Sequence, residues 1–435
     1  VTPRGILAFC REKEVKAVDI RYADLLGCWQ HITIPVERLS EASFEQGFGI
    51  LAAGRLQGEN RERLLIPQAT SAFLDPFCSI PTLILIGTLQ DPITREEDPF
   101  DSRAIAERAV AYLQSSGLAD RVLVGARCEF FLFDRFGFES SDHRGSWAAQ
   151  TVPCGLSNLD FRNGLLEQLR ELEVPAVQHD AAVEPRGSQA VVLDHQELVS
   201  AADAVLAVKH FAKRVAQQRQ QIVSFLPQPI AGGKGAGLEL TWSLLRSEEP
   251  LFSGQAYGGL SDLAIRALGG IRHHLPALTA LCNPTTNGYK RLHPAAGPGW
   301  LCGYTQTHPR SVCRVSMLQQ DPRTKAFTFC TPEATSNPYL CMAAILMAII
   351  DGMQNKLEPG TPDVSWDPAA NGHSKLPLSL WEALDELDAD RDFLTRGDVF
   401  SHEVLDAWLD YKRHVERPAI ESHPTPAEFQ EYGHW

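Results

Sequence analysis

VDIRYADLLGCWQHITIP (18–35), with the residues just ahead of it, alternates short apolar runs with turn and polar residues. The runs are Val15–Ile20, Leu25–Leu26 and Ile32–Ile34. That is the pattern of short strands joined by tight turns, so the chain is expected to open with a small β-rich unit. Thr82–Ile86 reads as another strand. Gln90–Ser102, with Pro92, Pro99 and several acids, reads as a connection, which puts a boundary near residue 93. Beyond it Ile105, Ala109, Tyr112 and Leu113 recur at helical spacing, and Arg121–Asp134 reads as strands interrupted at Gly125. A helix is expected over about 199–220. Ser379 with Glu382 forms a capping box ahead of Leu380, Leu384 and Leu387, and helices are expected to dominate the last hundred residues.

Composition narrows the class. The 435 residues are 44% hydrophobic and 22% charged, which excludes disordered, collagen-like and coiled-coil chains. Lys plus Arg number 40 against 54 Asp plus Glu, a net charge of −14. This disfavours a general grip on nucleic acid or anionic lipid while leaving room for a local basic pocket. The ten cysteines (10, 28, 78, 128, 154, 282, 302, 313, 330 and 341) are dispersed without a Cys-x-x-Cys pair and read as reduced core thiols. Val1–Glu14 lacks the features of a signal peptide, so a cytoplasmic location is expected. The greasiest stretch, Leu340–Ile350, is 11 residues long, and a spanning helix needs about 20; it reads as a buried helix, with no membrane role. Repeats and low-complexity segments are not evident.

Several segments together resemble bacterial glutamine synthetase: 18–35, DSRAIAERAVAYL (101–113), CEFFLFD (128–134), LFSGQAYGGLS (251–261), NPTTNGYKRLHP (283–294) and NPYLCMAAILMAIIDGMQNKLEPG (337–360). They keep the family's order and spacing, and DRDFLTRGDVF (390–400) and HPTPAEFQEY (423–432) continue the match. The resemblance implies an α+β fold: an N-terminal β-grasp domain (1–93) and a large domain (94–435) whose curved antiparallel sheet forms half of a funnel-shaped site. It implies a homo-oligomeric ring or dodecamer with sites shared between neighbours. It also implies ATP-dependent chemistry, in which glutamate is phosphorylated on its side-chain carboxylate and ammonia or an amine displaces the phosphate.

That chemistry needs two hard divalent cations on oxygen-rich ligands, arginines for phosphates and carboxylates, and an acid to deprotonate ammonium. Against the family's motifs this chain departs repeatedly. Where the family has Gly-Pro-Glu-x-Glu-Phe-Phe, one metal-binding Glu is Arg127, and Glu129 alone survives. Two further metal carboxylates fall on Ala182 and Ala190; a shifted alignment offers Glu184. In the Asn-Gly-Ser-Gly-Met-His motif the chain reads Lys234 to Glu239, an acid in place of the metal-binding His. The flap segment is Pro294–Gly299, without its acid. Arg291 and Arg314 match two substrate- or phosphate-binding arginines, and a third falls on Pro309 beside Arg310. The family's Glu-x-Arg before NPYL is here Thr328 and Cys330, and its ammonium-site Asp, in Asp-Gly-Ser-Ser, is Phe48, ahead of Gly49, Ile50 and Leu51. Losing most ligands of both metals with the base and flap acid removes the reaction's electrostatic support.

The candidate pocket is therefore Arg127, Glu129, Lys234, Glu239, Arg291, Arg314, Thr328 and Cys330. Glu129 with Glu239 either holds one cation, or Glu129 pairs with Arg127 or Arg291. The four basic residues form either an anion pocket or structural salt bridges. Cys330 is either a core thiol or, with His308, a nucleophile and base. His179, Asp180 and His195 are not expected to form a metal cluster. Phe48 and Leu51 either tighten a subunit contact or seal the old site. The expected function is an oligomeric scaffold binding an amino-acid or amine-like metabolite, or a non-catalytic partner of an active relative. The alternatives are a diverged glutamate-amine ligase or a repurposed enzyme, and ATP with Mg or Mn is expected only if ligase activity survives.

Overall fold

The computed structural model describes residues 2–52, 61–141, 144–151, 158–181, 188–230, 235–293, 300–318, 321–364 and 375–423. Strands β1 (Ala17–Ala23) and β2 (Trp29–Pro35) form an antiparallel hairpin. Strands β3 (Phe48–Ala52), β4 (Arg61–Pro67), β5 (Phe73–Leu74) and β6 (Thr82–Gln90) complete a six-stranded sheet of order β2-β1-β6-β4-β3, with β5 on β6. β1 and β6 run parallel. Period-two alternation sends Val18, Ile20 and Tyr22 into a core with Leu83, Leu85 and, from the helix Pro3–Glu12, Ile6 and Cys10. It sends Asp19 and Arg21 to the other face, where Arg21 bonds Asp19 (2.7 Å) and lies over Trp29, which in turn meets His210 of the helix Leu198–Gln218.

The second sheet has ten strands: β7 (Arg121–Ser141), β8 (Arg144–Thr151), β9 (Ala176–Ala181), β10 (Gln189–Glu197), β11 (Ile222–Ser224), β12 (Leu238–Arg246), β13 (Glu249–Pro250), β14 (Leu301–Thr305), β15 (Ser311–Val315) and β16 (Phe327–Phe329). Its main order is β14-β15-β16-β12-β7-β10-β9, antiparallel except for β14 beside β15. One face carries Val122, Val124, Ala126, Cys128 and Phe130 of β7 and Leu238, Leu240 and Trp242 of β12, and joins a single core with the helices Leu198–Gln218 and Pro338–Gln354. Alternation leaves Gly125, Arg127 and Glu129 of β7 and Glu239 and Thr241 of β12 on the opposite face, and that face is the candidate site.

Leu340–Ile350 lies within the helix Pro338–Gln354, all of which except Gln354 is buried, and each buried Leu, Ile or Met contributes about 1.5–3 kcal/mol. Among the described residues no helix is long and apolar enough to cross a membrane. The expected helix at 199–220 is Leu198–Gln218. Ser379 caps its helix, but Glu382 returns to the N–H of Leu378 (2.8 Å), one residue earlier than a capping box would place it.

Two expectations are corrected. β7 runs unbroken through Gly125: a Cβ there would sit 3.2–3.3 Å from the His195 ring, so the glycine makes room for that ring and does not end a strand. The described cysteines are all free thiols, but Cys28 and Cys78 are exposed and not part of a core. Cys154 lies outside the described residues.

The turn between β1 and β2 meets the start of the helix Pro338–Gln354. Gly27 has φ 78°, and a Cβ on it would lie 2.7 Å from Cα of Asn337, so this close approach requires glycine. Asn337 accepts from Tyr339 N–H (3.0 Å) as the cap of its helix, while its amide donates to the carbonyls of Asp24 and Leu25.

Candidate functional site

Strand register arranges the polar face in rows. Glu129 of β7 lies opposite Ala190 of β10, which lies opposite Asp180 of β9. Arg127 lies between Glu239 of β12 and Val192 of β10. Gly125 faces Thr241, Thr241 faces Thr328 of β16, and Thr328 faces Arg314 of β15. The two threonine hydroxyls bond each other at 2.9 Å.

Guanidinium groups engage Glu129, Asp180 and Glu239 on this face. Arg127 bonds Asp180 through both terminal nitrogens, Nη2 to Oδ1 at 2.7 Å, and Nη2 also reaches Glu129 at 3.3 Å. The other oxygen of Glu129 accepts the Gly237 N–H (2.9 Å). Arg314 donates to Glu239 (2.5 Å) and, through Nε, to the Cys330 sulfur (3.1 Å). Burial, then the neighbouring Glu239, push the Glu129 carboxyl above its ordinary value, against Arg127, the Gly237 N–H and Arg291. Burial works against the charge of Arg127, but its bond to Asp180 and the fields of Glu129, Asp180 and Glu239 overcome it and keep the guanidinium firmly protonated.

Arg291 is buried behind this layer. It donates to the carbonyls of Thr331 and Pro332 and lies over the Trp300 ring at 5.5 Å. Burial lowers its pKa, with Glu333, Glu129 and Glu239 supporting the charge. Glu333 is fully buried: Thr335 Oγ1 donates to it at 2.5 Å, and burial lifts its carboxyl to about 7.

The structure thus brings together Arg127, Glu129, Glu239, Arg314, Thr328 and Cys330 and holds Arg291 just beneath them. Lys234, Ala182, Glu184 and the segment Pro294–Gly299 lie outside the described residues. Cys330 is buried and pushed up to about 12 by burial and then Glu239, so it is a protonated thiol. His308 bonds the Arg310 carbonyl through Nδ1 (2.8 Å). His179 bonds Asn163 (2.8 Å), His195 lies against Gly125, and Asp180 bonds Arg127. Phe48 packs on the N-terminal core while Leu51 on the same strand is 65% exposed.

Sequence reasoning missed Asp180 and Glu333 as site groups. Period two within β9 would have put Gln178 and Asp180 on one face, but only the pairing of β9 with β10 says which face. Among the described residues no group of three or more His, Cys, Asp and Glu side chains is arranged to hold a metal ion. Among the described residues, three carboxylates already bonded to guanidinium groups do not match the six to eight oxygens that a hard cation such as calcium takes, nor magnesium's octahedron.

The comparisons with known proteins agree with this architecture. Residues 14–92 match the family profile described as "Glutamine synthetase, beta-Grasp domain", and residues 99–432 match "Glutamine synthetase, catalytic domain". The chain is 35% identical to glutamine synthetase of Methylococcus capsulatus over 470 aligned positions, covering 99% of both chains. It is 34% identical to that of Escherichia coli K12, covering 98% of both. Among solved structures, Plasmodium falciparum glutamine synthetase superposes with a TM-score of 0.88 at 19% identity, covering 99% of both chains, which speaks to fold. A structure titled "Apo GmaS without ligand" superposes with a TM-score of 0.81 at 26% identity, covering 98% of this chain and 99% of that one. The chain belongs to the glutamine synthetase family.

Proposed function

We propose that this chain is a family member with a degenerate site, which binds a small amino-acid or amine-like metabolite and does not make glutamine by the two-metal, ATP-dependent route. The observation that carries this reading is the Arg127 guanidinium, joined to Asp180 and Glu129 at a position where the family resemblance implies a metal-binding carboxylate. Arg314 on Glu239 repeats the arrangement on the other side of β12. In this reading Glu129 and Glu239 serve as partners of arginines and hold a cation only if those arginines withdraw. Among the described residues, three carboxylates against Arg127, Arg314 and Arg291 leave the site close to neutral, which suits a small zwitterion better than a bare polyphosphate. We place the domain boundary at 93/94 and propose a cytoplasmic homo-oligomer, either a metabolite-binding scaffold or a non-catalytic partner.

The second reading is a diverged ligase forming glutamate amides. It is favoured by Arg291 and Arg314 at positions matching substrate- or phosphate-binding arginines, and by about a third identity to glutamine synthetases along the whole chain. Phosphate release decides between the two. The purified protein with ATP, magnesium or manganese, glutamate, and ammonium or a panel of amines is expected to release none. Release that requires both glutamate and an amine overturns the first reading in favour of the second.

A further inference from the structure

We propose that His274 is held as a buried imidazolium whose positive charge latches four helical segments together, and that this layer loosens when the proton leaves. His274 is the shared residue between the helices Asp262–His273 and Leu275–Cys282. Its Nδ1 lies 2.7 Å from Oδ2 of Asp390, the residue that closes the helix Leu380–Ala389. Its Nε2 lies 3.1 Å from Oδ2 of Asp351, in the helix Pro338–Gln354. The His274 and Asp351 side chains are 5% and 6% exposed.

The chemistry of these contacts requires the proton. An ionised carboxylate only accepts hydrogen bonds, and a neutral imidazole has a single N–H to donate. Both ring nitrogens face carboxylate oxygens, so both carry hydrogen unless an aspartate does. Asp351 is held ionised: its Oδ1 accepts from Asn355 (2.8 Å) and from the Arg396 guanidinium. Burial alone would lift its carboxyl, yet the bonds from His274 and the charges of His274 and Arg396 bring it below its ordinary value. Asp390 is a quarter exposed and open to water. The other groups against the ring are Phe393, stacked at 3.8 Å, and His273, edge-on at 4.8 Å.

With His274 and Arg396 positive and the two aspartates negative, the cluster sums to zero. Loss of the proton leaves one carboxylate facing a ring lone pair and one uncompensated negative charge in a buried setting, the arrangement that destabilises buried ion pairs most. Burial draws the His274 pKa down, but its bonds to Asp351 and then Asp390 outweigh it and raise it above 6.5. A histidine raised in this way contributes stability that is fully present below pH 6.5 and is lost as pH rises through its folded value. Asp351 shares its helix with the cap residue Asn337, which bonds the β1–β2 turn, so the latch secures one of the elements on which the N-terminal domain rests.

The test is the urea midpoint of the full-length protein between pH 6 and 9, for the wild type, His274→Gln and Asp390→Asn. The wild-type midpoint is expected to fall across this window and that of His274→Gln to fall less. In Asp390→Asn the amide can donate to a neutral ring, so the fall should shrink or begin at lower pH. Should His274→Gln fail to fold, the wild type against Asp390→Asn decides. Superimposable pH profiles for those two would overturn the proposal, as would a His274→Gln profile as steep as the wild type's.

Discussion

Arg127 reaches Asp180 diagonally across β10: Asp180 sits opposite Glu129 in register, with only the small Ala190 between them, and the guanidinium crosses that gap to bind it. One arginine thereby serves two carboxylates on strands that are not neighbours.

Removing that arginine strands Glu129. Arg127→Ala is expected to cost about 1–3 kcal/mol, the penalty for leaving a part-buried charged group without its partner. Glu129 already lies above its ordinary 4.5, so folding stability falls as pH rises from 4.5 through the folded value. Urea unfolding at several pH values should show that fall deepen in Arg127→Ala, since the group lowering the Glu129 pKa has gone. An unchanged profile would mean that Glu129 does not depend on Arg127.

Magnesium and manganese should leave the urea midpoint where it is. A ligand that binds only the folded chain raises stability as RT ln(1 + [L]/Kd), so a midpoint climbing with metal concentration would reveal a site that the described residues do not provide.

Thiol labelling should sort the cysteines by burial. Cys28 and Cys78 are exposed, whereas Cys330 is buried with its pKa near 12. Iodoacetamide on the folded protein, read by mass spectrometry, is expected to modify Cys28 and Cys78 well before Cys330. Rapid labelling of Cys330 would restore it as a nucleophile candidate.

A side chain at Gly288 would have to displace the Glu333 carboxyl. A Cβ there would lie 1.9 Å from Oε2 of the buried Glu333. Gly288→Ala should destabilise by about 1–3 kcal/mol through overpacking and move the helix Thr286–Leu292 that carries Arg291. Calorimetry finding an unchanged melting temperature would argue against that packing.

Asn337→Ala removes a helix cap and two bonds to the β1–β2 turn at once. The cap alone is worth about 1 kcal/mol, and the loss should exceed it. Limited proteolysis between the domains should quicken; a variant as resistant as the wild type would place the domain contact elsewhere.

The strands and helices were legible because their signals are local. Val18, Ile20 and Tyr22 alternate inward within seven residues, and the apolar run at 340–350 announces a buried helix without reference to any partner. Motif order along the chain was equally local, and it carried the family. Gly125 misled because a glycine reads as a break from its neighbours alone, and the reason for it is the His195 ring some seventy residues away.

The sequence by itself determined the α+β architecture, the family, and which chemical groups stand at the motif positions. It could not assign partners to charges, because an ion pair between strands depends on register, and register is set by how whole sheets pack. Only the tertiary structure decided that Arg127 takes Asp180 as well as Glu129, that Arg314 takes Glu239, that Arg291 rests on backbone carbonyls, and that His274 stands between two aspartates 77 and 116 residues away. A side chain's charge is written in the chain, but what balances it depends on which distant strands and helices fold against it.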